Sequence, residues 1–440
     1  MKPRVKPLAG TQGLSARNAA LTALSALFFS ERPLGEALDG ALAKAKLEPR
    51  DVAFARTIVM MVLRRLGQID AVIATFLREP LPVRSGPAEL ILRIATAELL
   101  FLDVAAHAAV SSAVNLADRD HRARHFKGLI NAVARRVAAE GKALAAAQDT
   151  EHLNTPPWAW EAWSAAYGED TARAIAKAHL AEPPLDITVK GDAAVWVEKL
   201  EAKLLPTGTL RRAAGGRIED LPGYAEGAWW IQDAAATLPV AMLGAIKGKA
   251  VIDLCAAPGG KTAQLAAAGA KVTAVDLAFD RMKRVMANLD RLKLKAEIEV
   301  GDALFWRPKE QADAVLLDAP CTASGTVRRH PDVLWRKDLS DVMAQAAVQQ
   351  RLLAAAAEMV KPGGTLVYCV CSLAREEGED VVAAFLTTHP NFARIPVTAG
   401  EIGGEAQFLT PEGDLRTLPS HWPEIGGLDG FYASRLRRTA

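Results

Sequence analysis

Residues 250–262 read AVIDLCAAPGGKT, and this stretch decides the fold of the larger part of the chain. Its first five residues are mostly apolar and predict a buried strand, while the Pro and Gly residues that follow predict a tight turn. A glycine-rich turn that leads from a strand into a helix brings free backbone N–H groups close to a ligand. The stretch therefore predicts a ligand site at the carboxyl end of a strand.

A phosphate-binding P-loop is the competing interpretation, because Gly260-Lys261-Thr262 matches the end of that motif. The motif needs a second glycine five residues before Gly260, and this chain has Cys255 there. Pro258 also lies inside the turn. These departures disfavour a P-loop.

Strand and helix patterns alternate from residue 229 to residue 440, which predicts a parallel sheet covered on both faces. Helical patterns separate the strands, notably over 279–292 and 339–359. We expect a Rossmann-like α/β domain whose ligands bind where the strands end. The predicted strands are Ala250–Leu254, Val272–Asp276, Ala296–Val300, Ala314–Leu317 and Thr365–Cys371.

The front of the chain has a different pattern, with apolar residues at steps of three and four over residues 13–146. This spacing predicts an all-α bundle, including one long amphipathic helix from Phe54 to Ile73. Residues 1–12 are expected to form a flexible tail, and residues 147–228 a connecting α+β subdomain. The chain is thus predicted to be multidomain.

Composition limits the class of protein. Half of the 440 residues are hydrophobic and 24% are charged, as in globular proteins. Residues 1–145 hold 21 Lys and Arg against 13 Asp and Glu, whereas the rest holds 32 against 38, so the front suits a polyanionic partner. Four cysteines in 440 residues are too few for a disulfide scaffold, and none forms a C-x-x-C pair, which argues against a structural zinc site. With no membrane span or signal peptide recognised, we expect a cytoplasmic protein.

Two acids follow predicted strands at the same edge of the sheet. Asp276, about twenty residues past the glycine-rich turn, can accept hydrogen bonds from ribose hydroxyls. Asp302 follows the next strand and can contact an adenine amino group. A single acid after a strand is often only a helix cap. Together with the turn, however, the two predict a pocket for an adenosine-bearing cofactor.

Two cysteines end the remaining strands. Asp318 and Cys321 follow the fourth strand, and Cys371 ends the fifth, so the two thiols are expected to face each other across the pocket. Arg328, Arg329 and His330 come next after Cys321, and they suit either contact with nucleic-acid phosphates and bases or a solvated loop.

Three motifs, DLCAAPGGKT, LLDAPCTASGTVRRHPD and LVYCVCS, resemble those of the NOL/NOP2/Sun family of RNA cytosine-5 methyltransferases. WIQDAAATLP and GLDGFYASRL are similar to that family's flanking segments. In the front, ELILRIATAELL and RHFKGLINAV resemble the RNA-binding fold of the antitermination factor NusB. The combination resembles the bacterial 16S rRNA cytosine-5 methyltransferases of the B subfamily.

The resemblance implies an S-adenosyl-L-methionine cofactor, RNA of the small ribosomal subunit as partner, and no metal. It implies Cys371 as the nucleophile and Cys321 as the group that assists product release. From the chemistry we expect Cys321 to act as the base in that step and Asp318 to contact the cytosine ring and act as an acid. Val370 stands where the family commonly has Thr, and no role follows for Cys369 beyond packing. The cofactor residues carried over are Cys255, Ala256, Ala257, Pro258, Gly259, Gly260, Lys261, Asp276, Arg281, Asp302 and Asp318.

Three alternatives remain open. The substrate can be tRNA, because the motifs report on the chemistry and not on which RNA is held. The chain can be a non-catalytic RNA-binding factor for ribosome assembly. It can also be a DNA methyltransferase, in which Cys321 would be the nucleophile. No feature of the sequence demands more than a monomer.

Overall fold

The computed structural model describes residues 11–439, with side chains from residue 13 onward. The chain forms two compact units: one holds the chain up to Trp160 together with His330–Arg336, and the other holds Glu161–Arg329 and the chain from Lys337 onward. The predicted tail lies outside the described residues, except that the first helix begins at Thr11. The predicted fold class, a helical bundle followed by a Rossmann-like α/β domain, is confirmed.

The α-helices are α1 (Thr11–Phe29), α2 (Leu34–Ala45), α3 (Pro49–Arg64), α4 (Leu66–Phe76), α5 (Ala88–Phe101), α6 (Ala106–Arg119), α7 (Lys127–Ala146), α8 (Thr150–Leu153), α9 (Pro157–Tyr167), α10 (Glu169–His179), α11 (Ala234–Ala241), α12 (Gly260–Ala267), α13 (Phe279–Leu292), α14 (Val333–Arg336), α15 (Leu339–Glu358) and α16 (Glu379–Thr388). The strands are β1 (Leu185–Val189), β2 (Lys203–Leu204), β3 (Leu210–Arg212), β4 (Trp229–Ile231), β5 (Ala250–Leu254), β6 (Lys271–Asp276), β7 (Glu297–Val300), β8 (Ala312–Asp318), β9 (Val360–Val370), β10 (Phe392–Arg394), β11 (Leu415–Thr417) and β12 (Phe431–Arg438).

The first unit is a bundle around one apolar core to which α1–α7 contribute. The long helix predicted from Phe54 to Ile73 is wrong in one respect: the chain breaks at Arg65 into α3 and α4. The N–H of Gln68, in the first turn of α4, donates to Oδ1 of Asn154 at 3.1 Å. Gly67 lies against the Leu153 carbonyl. The apolar period continues through Arg65, so periodicity alone does not show the break.

A short segment from the later part of the chain belongs to this helical unit. Trp335 packs against the core, and its indole N–H donates to the Leu63 carbonyl at 3.2 Å. The indole N–H of Trp158 donates to the Leu334 carbonyl at 3.3 Å. This excursion of the chain was not predicted.

The second unit contains two sheets. The smaller has the antiparallel order β2-β3-β1-β4. The larger has the order β10-β12-β9-β8-β5-β6-β7, with β11 paired to β12. Its strands β5 to β9 are parallel, as predicted, whereas β10, β11 and β12 pair antiparallel and extend the sheet beyond β9.

The strand order reverses at β5, which has β6 on one side and β8 on the other. In an open α/β sheet the carboxyl ends of the strands at such a reversal border a crevice. The loops that follow β5, β6, β7, β8 and β9 all reach this edge. Within residues 11–439, every helix is too short or too polar to cross a bilayer.

Candidate active site

A cavity of about 470 Å³ opens at this edge of the larger sheet. Its volume is in the range of small-molecule pockets. Each of the five parallel strands contributes to its wall through the loop that follows it. The residues that line the cavity include Cys255, Ala257, Pro258, Asp276, Leu277, Arg281, Asp302, Leu304, Asp318, Cys321, Val348, Leu352 and Cys371.

The glycine-rich turn forms one wall. Cys255 has a φ of 60° and Gly259 a φ of 100°, so the backbone turns sharply twice before α12 begins. Burial, together with the charges of Asp318 and Asp276, raises the pKa of Cys255 to about 12, which makes this thiol unreactive at neutral pH. Three of the residues predicted in the turn line the cavity: Cys255, Ala257 and Pro258. The other four do not line it: Ala256, Gly259, Gly260 and Lys261.

Asp276 is 3% exposed and is held by the turn. Its Oδ2 accepts the Ala257 N–H at 3.1 Å, and the Arg281 guanidinium lies 3.5 Å from the same oxygen. Arg281 also donates to the Ala257 carbonyl at 3.0 Å. The contacts of Arg281 with the turn and the acid thus fix the carboxylate at the cavity wall.

Asp302 lies at the other predicted position, after β7. Its side chain accepts the Leu304 N–H at 2.9 Å and remains partly exposed to the cavity. Leu277, Val348 and Leu352 supply apolar surface to the same cavity. The wall therefore offers two carboxylates and an apolar face.

The two predicted thiols meet at this cavity. The Sγ atoms of Cys321 and Cys371 are 3.4 Å apart. The hydrogen bond to Cys371 and burial raise the pKa of Cys321 well above its usual value, so Cys321 keeps its proton at neutral pH. Because the sulfurs are in contact, no space for a ring lies between them, which corrects the expectation that they face each other across an open pocket.

Asp318 is held by a cation and a third thiol. Lys261 Nζ lies 2.7 Å from Asp318 Oδ2, and Cys369 Sγ lies 3.5 Å from Oδ1. Burial alone would lower the pKa of Lys261, but the Asp318 carboxylate outweighs it and the pKa is raised overall. Lys261, predicted to contact the cofactor, is therefore a charged partner of Asp318.

The predicted nucleic-acid contact of Arg328 is wrong. Arg328 is 1% exposed, and its guanidinium donates to Asp233 at 3.1 Å and to Asp429 at 2.9 Å. Arg329 pairs with the same two acids and is mostly covered, whereas His330 is exposed. The basic loop thus joins two distant segments of the chain through buried charge pairs.

Sequence reasoning missed Glu377. This residue is fully buried and accepts hydrogen bonds from the residues that follow both cysteines, Thr322 and Ser372. It lies in the acidic run after Cys371, but nothing in that run distinguishes it from Glu376 or Glu379.

Comparisons with known proteins agree with this geometry. The sequence profile of the family described as 16S rRNA methyltransferase RsmB/F matches residues 240–437, and that of the NusB family matches residues 14–139. A protein of Vibrio cholerae named "Ribosomal RNA small subunit methyltransferase B" is 34% identical over 445 residues, which cover 97% of this chain and 98% of the relative. A protein of the same name from Pseudomonas putida is 32% identical and covers 97% of this chain and 99% of its own length.

Solved structures share the fold. The crystal structure of the protein PH0851 covers 98% of this chain and 100% of its own, with a TM-score of 0.78 at 24% identity. A methyltransferase homologue from Pyrococcus horikoshii covers 63% of this chain and 93% of its own, with a TM-score of 0.53 at 26% identity. The chain belongs to the 16S rRNA methyltransferase RsmB/F family, carries a NusB-family domain at its front, and is an RNA cytosine-5 methyltransferase.

Proposed function

We propose that this chain methylates carbon 5 of a cytosine in 16S ribosomal RNA through a covalent bond between Cys371 and carbon 6 of the ring. The observation that carries the proposal is the 3.4 Å contact between the sulfurs of Cys321 and Cys371 at the wall of the cavity. Carbon 5 of cytosine is a poor nucleophile, and addition of a thiolate at carbon 6 gives it carbanion character. Covalent catalysis of this kind divides one difficult step into easier ones.

S-adenosyl-L-methionine fits the cavity beside this pair. The buried Asp276 carboxylate suits the ribose hydroxyls, Asp302 suits the adenine amino group, and the apolar wall suits the faces of the purine. The backbone of Ala257 and Pro258 borders the same space. When bound, the cofactor supplies the methyl group that carbon 5 takes.

Cys371 is the better nucleophile of the two thiols in this geometry. We infer that Cys321 donates its S–H to the Cys371 sulfur across the 3.4 Å contact and so stabilises a thiolate there. Lys261 supplies positive charge near that sulfur, whereas the charges of Arg328 and Arg329 are paired with buried acids. This arrangement favours Cys371 over the alternative in which Cys321 attacks.

Asp318 and Lys261 are placed to act on the ring. Addition of sulfur pushes an electron pair toward ring nitrogen 3 and the carbonyl. Asp318 contacts the ring edge, and Lys261 Nζ, held 2.7 Å from it, faces the charge that develops there. The proton on carbon 5 must then leave before the carbon 6–sulfur bond breaks. Once Cys371 is bonded to the ring, Cys321 loses its hydrogen bond with that sulfur, gives its own proton to solvent, and as a thiolate takes the proton from carbon 5. The carbon 6–sulfur bond then breaks, and its electron pair returns to Cys371.

The relatives favour ribosomal RNA over tRNA as substrate. Those from Vibrio cholerae and Pseudomonas putida are named for the small ribosomal subunit, and their likeness extends through the NusB-family domain. The basic front of the chain suits binding to RNA phosphates, and a target base in single-stranded RNA is reached at low cost. Because one chain supplies both thiols and the whole cavity, we also propose that it acts as a monomer, in the cytoplasm.

Covalent trapping tests the proposal. Cys321→Ala is expected to accumulate a protein–RNA adduct that survives denaturing electrophoresis, because the adduct forms but is not released. Cys371→Ala is expected to form none. The reverse pattern would assign the nucleophile to Cys321. Bisulfite sequencing of 16S RNA from cells that lack the protein is expected to show one unmethylated cytosine, and a change confined to tRNA would identify tRNA as the substrate.

A further inference from the structure

Glu377 lies outside the cavity but between the two cysteine loops. It is 0% exposed and follows Cys371 by six residues. Its backbone is anchored to the sheet, because the Tyr368 hydroxyl of β9 donates to the Glu377 carbonyl at 2.6 Å. The side chain is therefore fixed at its base.

Each carboxylate oxygen of Glu377 accepts two hydrogen bonds, three of the four from the cysteine loops and one from Gln349 of α15. Oε1 accepts the Thr322 N–H at 2.8 Å and the Gln349 amide at 3.1 Å. Oε2 accepts the Thr322 hydroxyl at 2.5 Å and the Ser372 hydroxyl. Thr322 directly follows Cys321 and Ser372 directly follows Cys371, so one side chain holds the neighbours of both thiols.

Other hydrogen bonds join the same loops around this carboxylate. Gln349 also donates to the Pro320 carbonyl at 2.9 Å, next to Cys321. The Gly325 N–H donates to the Cys371 carbonyl at 3.0 Å. A buried carboxylate is costly unless donors satisfy it, and here four neutral donors do so. The same four bonds fix the distance between the loops.

We propose that Glu377 is a positioning residue that holds the Cys321 and Cys371 loops so that both thiols reach one cytosine ring. The role in catalysis rests on the proposed function, but the effect on the distance between the sulfurs does not. Glu377 touches neither the substrate site nor the residues proposed to bind the cofactor.

Replacement of Glu377 in the full-length protein tests this. Glu377→Ala is expected to lower the kcat for methyl transfer by about 100-fold, the cost of displacing a catalytic group by about 1 Å. The KM for S-adenosyl-L-methionine is expected to stay the same, because Asp276 and Asp302 are untouched. Glu377→Gln is expected to restore most of the activity, since its oxygen accepts the two N–H groups and its amide donates to the two hydroxyls. Glu376→Gln, a change of the neighbouring acid, is the control.

A second measurement does not depend on methylation. In buffers of reduced and oxidised glutathione, the Cys321–Cys371 disulfide forms according to the effective concentration of the two thiols, and mass spectrometry of peptides measures its yield. We expect Glu377→Ala to lower that effective concentration about tenfold, because loosened groups meet less often, and Glu377→Gln to restore it.

Each outcome of these two measurements supports or overturns the role proposed for Glu377. A folded Glu377→Ala protein with parental kcat and parental disulfide yield overturns the proposal while leaving the proposed function intact. If the parental protein does not methylate RNA, the proposed function fails and the disulfide yield alone judges the role of Glu377. If Glu377→Ala does not fold, Thr322→Val, which removes one of the four bonds, is judged by the same two measurements.

Discussion

The loop after β8 contains two regions that behave in opposite ways. At its start, Cys321 faces the cavity and contacts Cys371. Seven residues later, Arg328 points into the protein and is covered by Asp233 and Asp429. A thiol, usually a buried residue, is at the reactive surface, whereas a guanidinium, usually exposed, is in the interior.

Different factors determine the positions of these two side chains. The place of Cys321 follows from the end of a strand, because backbone geometry fixes where that end lies. The place of Arg328 depends on which acids the fold brings near a long, flexible side chain. Position along a strand therefore predicted where the Cys321 side chain lies, whereas charge alone did not predict where the Arg328 side chain lies.

The largest effect expected is on activity. Cys371→Ala should reduce methyl transfer by a factor on the order of 10⁴ or more, since loss of a nucleophile removes the covalent route. Its free energy of unfolding should change by only about 1 kcal/mol, because one half-buried sulfur is lost. Single-turnover assays and urea denaturation measure the two quantities. Retention of activity would show that the thiol at the strand end is not the nucleophile.

The opposite pattern is expected at Arg328. Arg328→Met should lower the free energy of unfolding by about 3 kcal/mol, because its removal leaves two buried carboxylates with one guanidinium, that of Arg329, between them. Arg307→Met is the matched control. Arg307 pairs with Glu358 at the surface, and its loss should cost about 0.5 kcal/mol.

Binding of RNA by the folded Arg328→Met protein should match that of the parental chain at temperatures well below its unfolding transition. Filter binding at several salt concentrations measures this. A selective loss of RNA affinity with unchanged stability would return Arg328 to the nucleic-acid surface.

Much of the fold could be predicted because its signals are local. β5 and α13 are found at the predicted residues, since apolar runs and helical periods involve residues that are close together in the sequence. The antiparallel strand β12 was missed as a strand, because its pairing with β9 joins residues that are far apart in the chain. The break at Arg65 was missed because it depends on contacts with Leu153 and Asn154.

The same limit applies to the site. The meeting of Cys321 and Cys371 could be predicted from two strand ends at one sheet edge. The contacts of Glu377 could not, since its four donors come from three separate loops and helices. Lys261 was predicted to bind the cofactor because it belongs to the glycine-rich motif, but its length lets it reach Asp318.

A smaller effect on the free energy of unfolding is expected at Asp253, which lies just before the glycine-rich turn. This effect depends on pH. Burial raises the pKa of Asp253 to about 7, and the charges of Asp318 and Asp276 add to this rise. The hydrogen bond from Thr262 and the charge of Lys261 lower the pKa but do not outweigh burial. Below about pH 4 the acid is protonated in both states. As pH rises toward 7 only the unfolded chain releases the proton, so stability is lost.

Asp253→Asn removes this titration. The free energy of unfolding of the parental chain, relative to that of the variant, should fall by something on the order of 3 kcal/mol between pH 4 and pH 8. Urea denaturation across that range measures it. A constant difference would show that the carboxyl is ionised throughout, and Asp290→Asn, at an exposed acid of α13, is the control.

The smallest effect is expected at His330, the exposed member of the predicted basic loop. His330→Ala should weaken RNA binding by about twofold, because one exposed side chain that can contact a phosphate or a base is lost. Binding titrations against the parental chain measure this. An unchanged affinity would show that His330 does not contact the RNA. A fall in the free energy of unfolding as large as that expected for Arg328→Met would remove the contrast between His330 and Arg328.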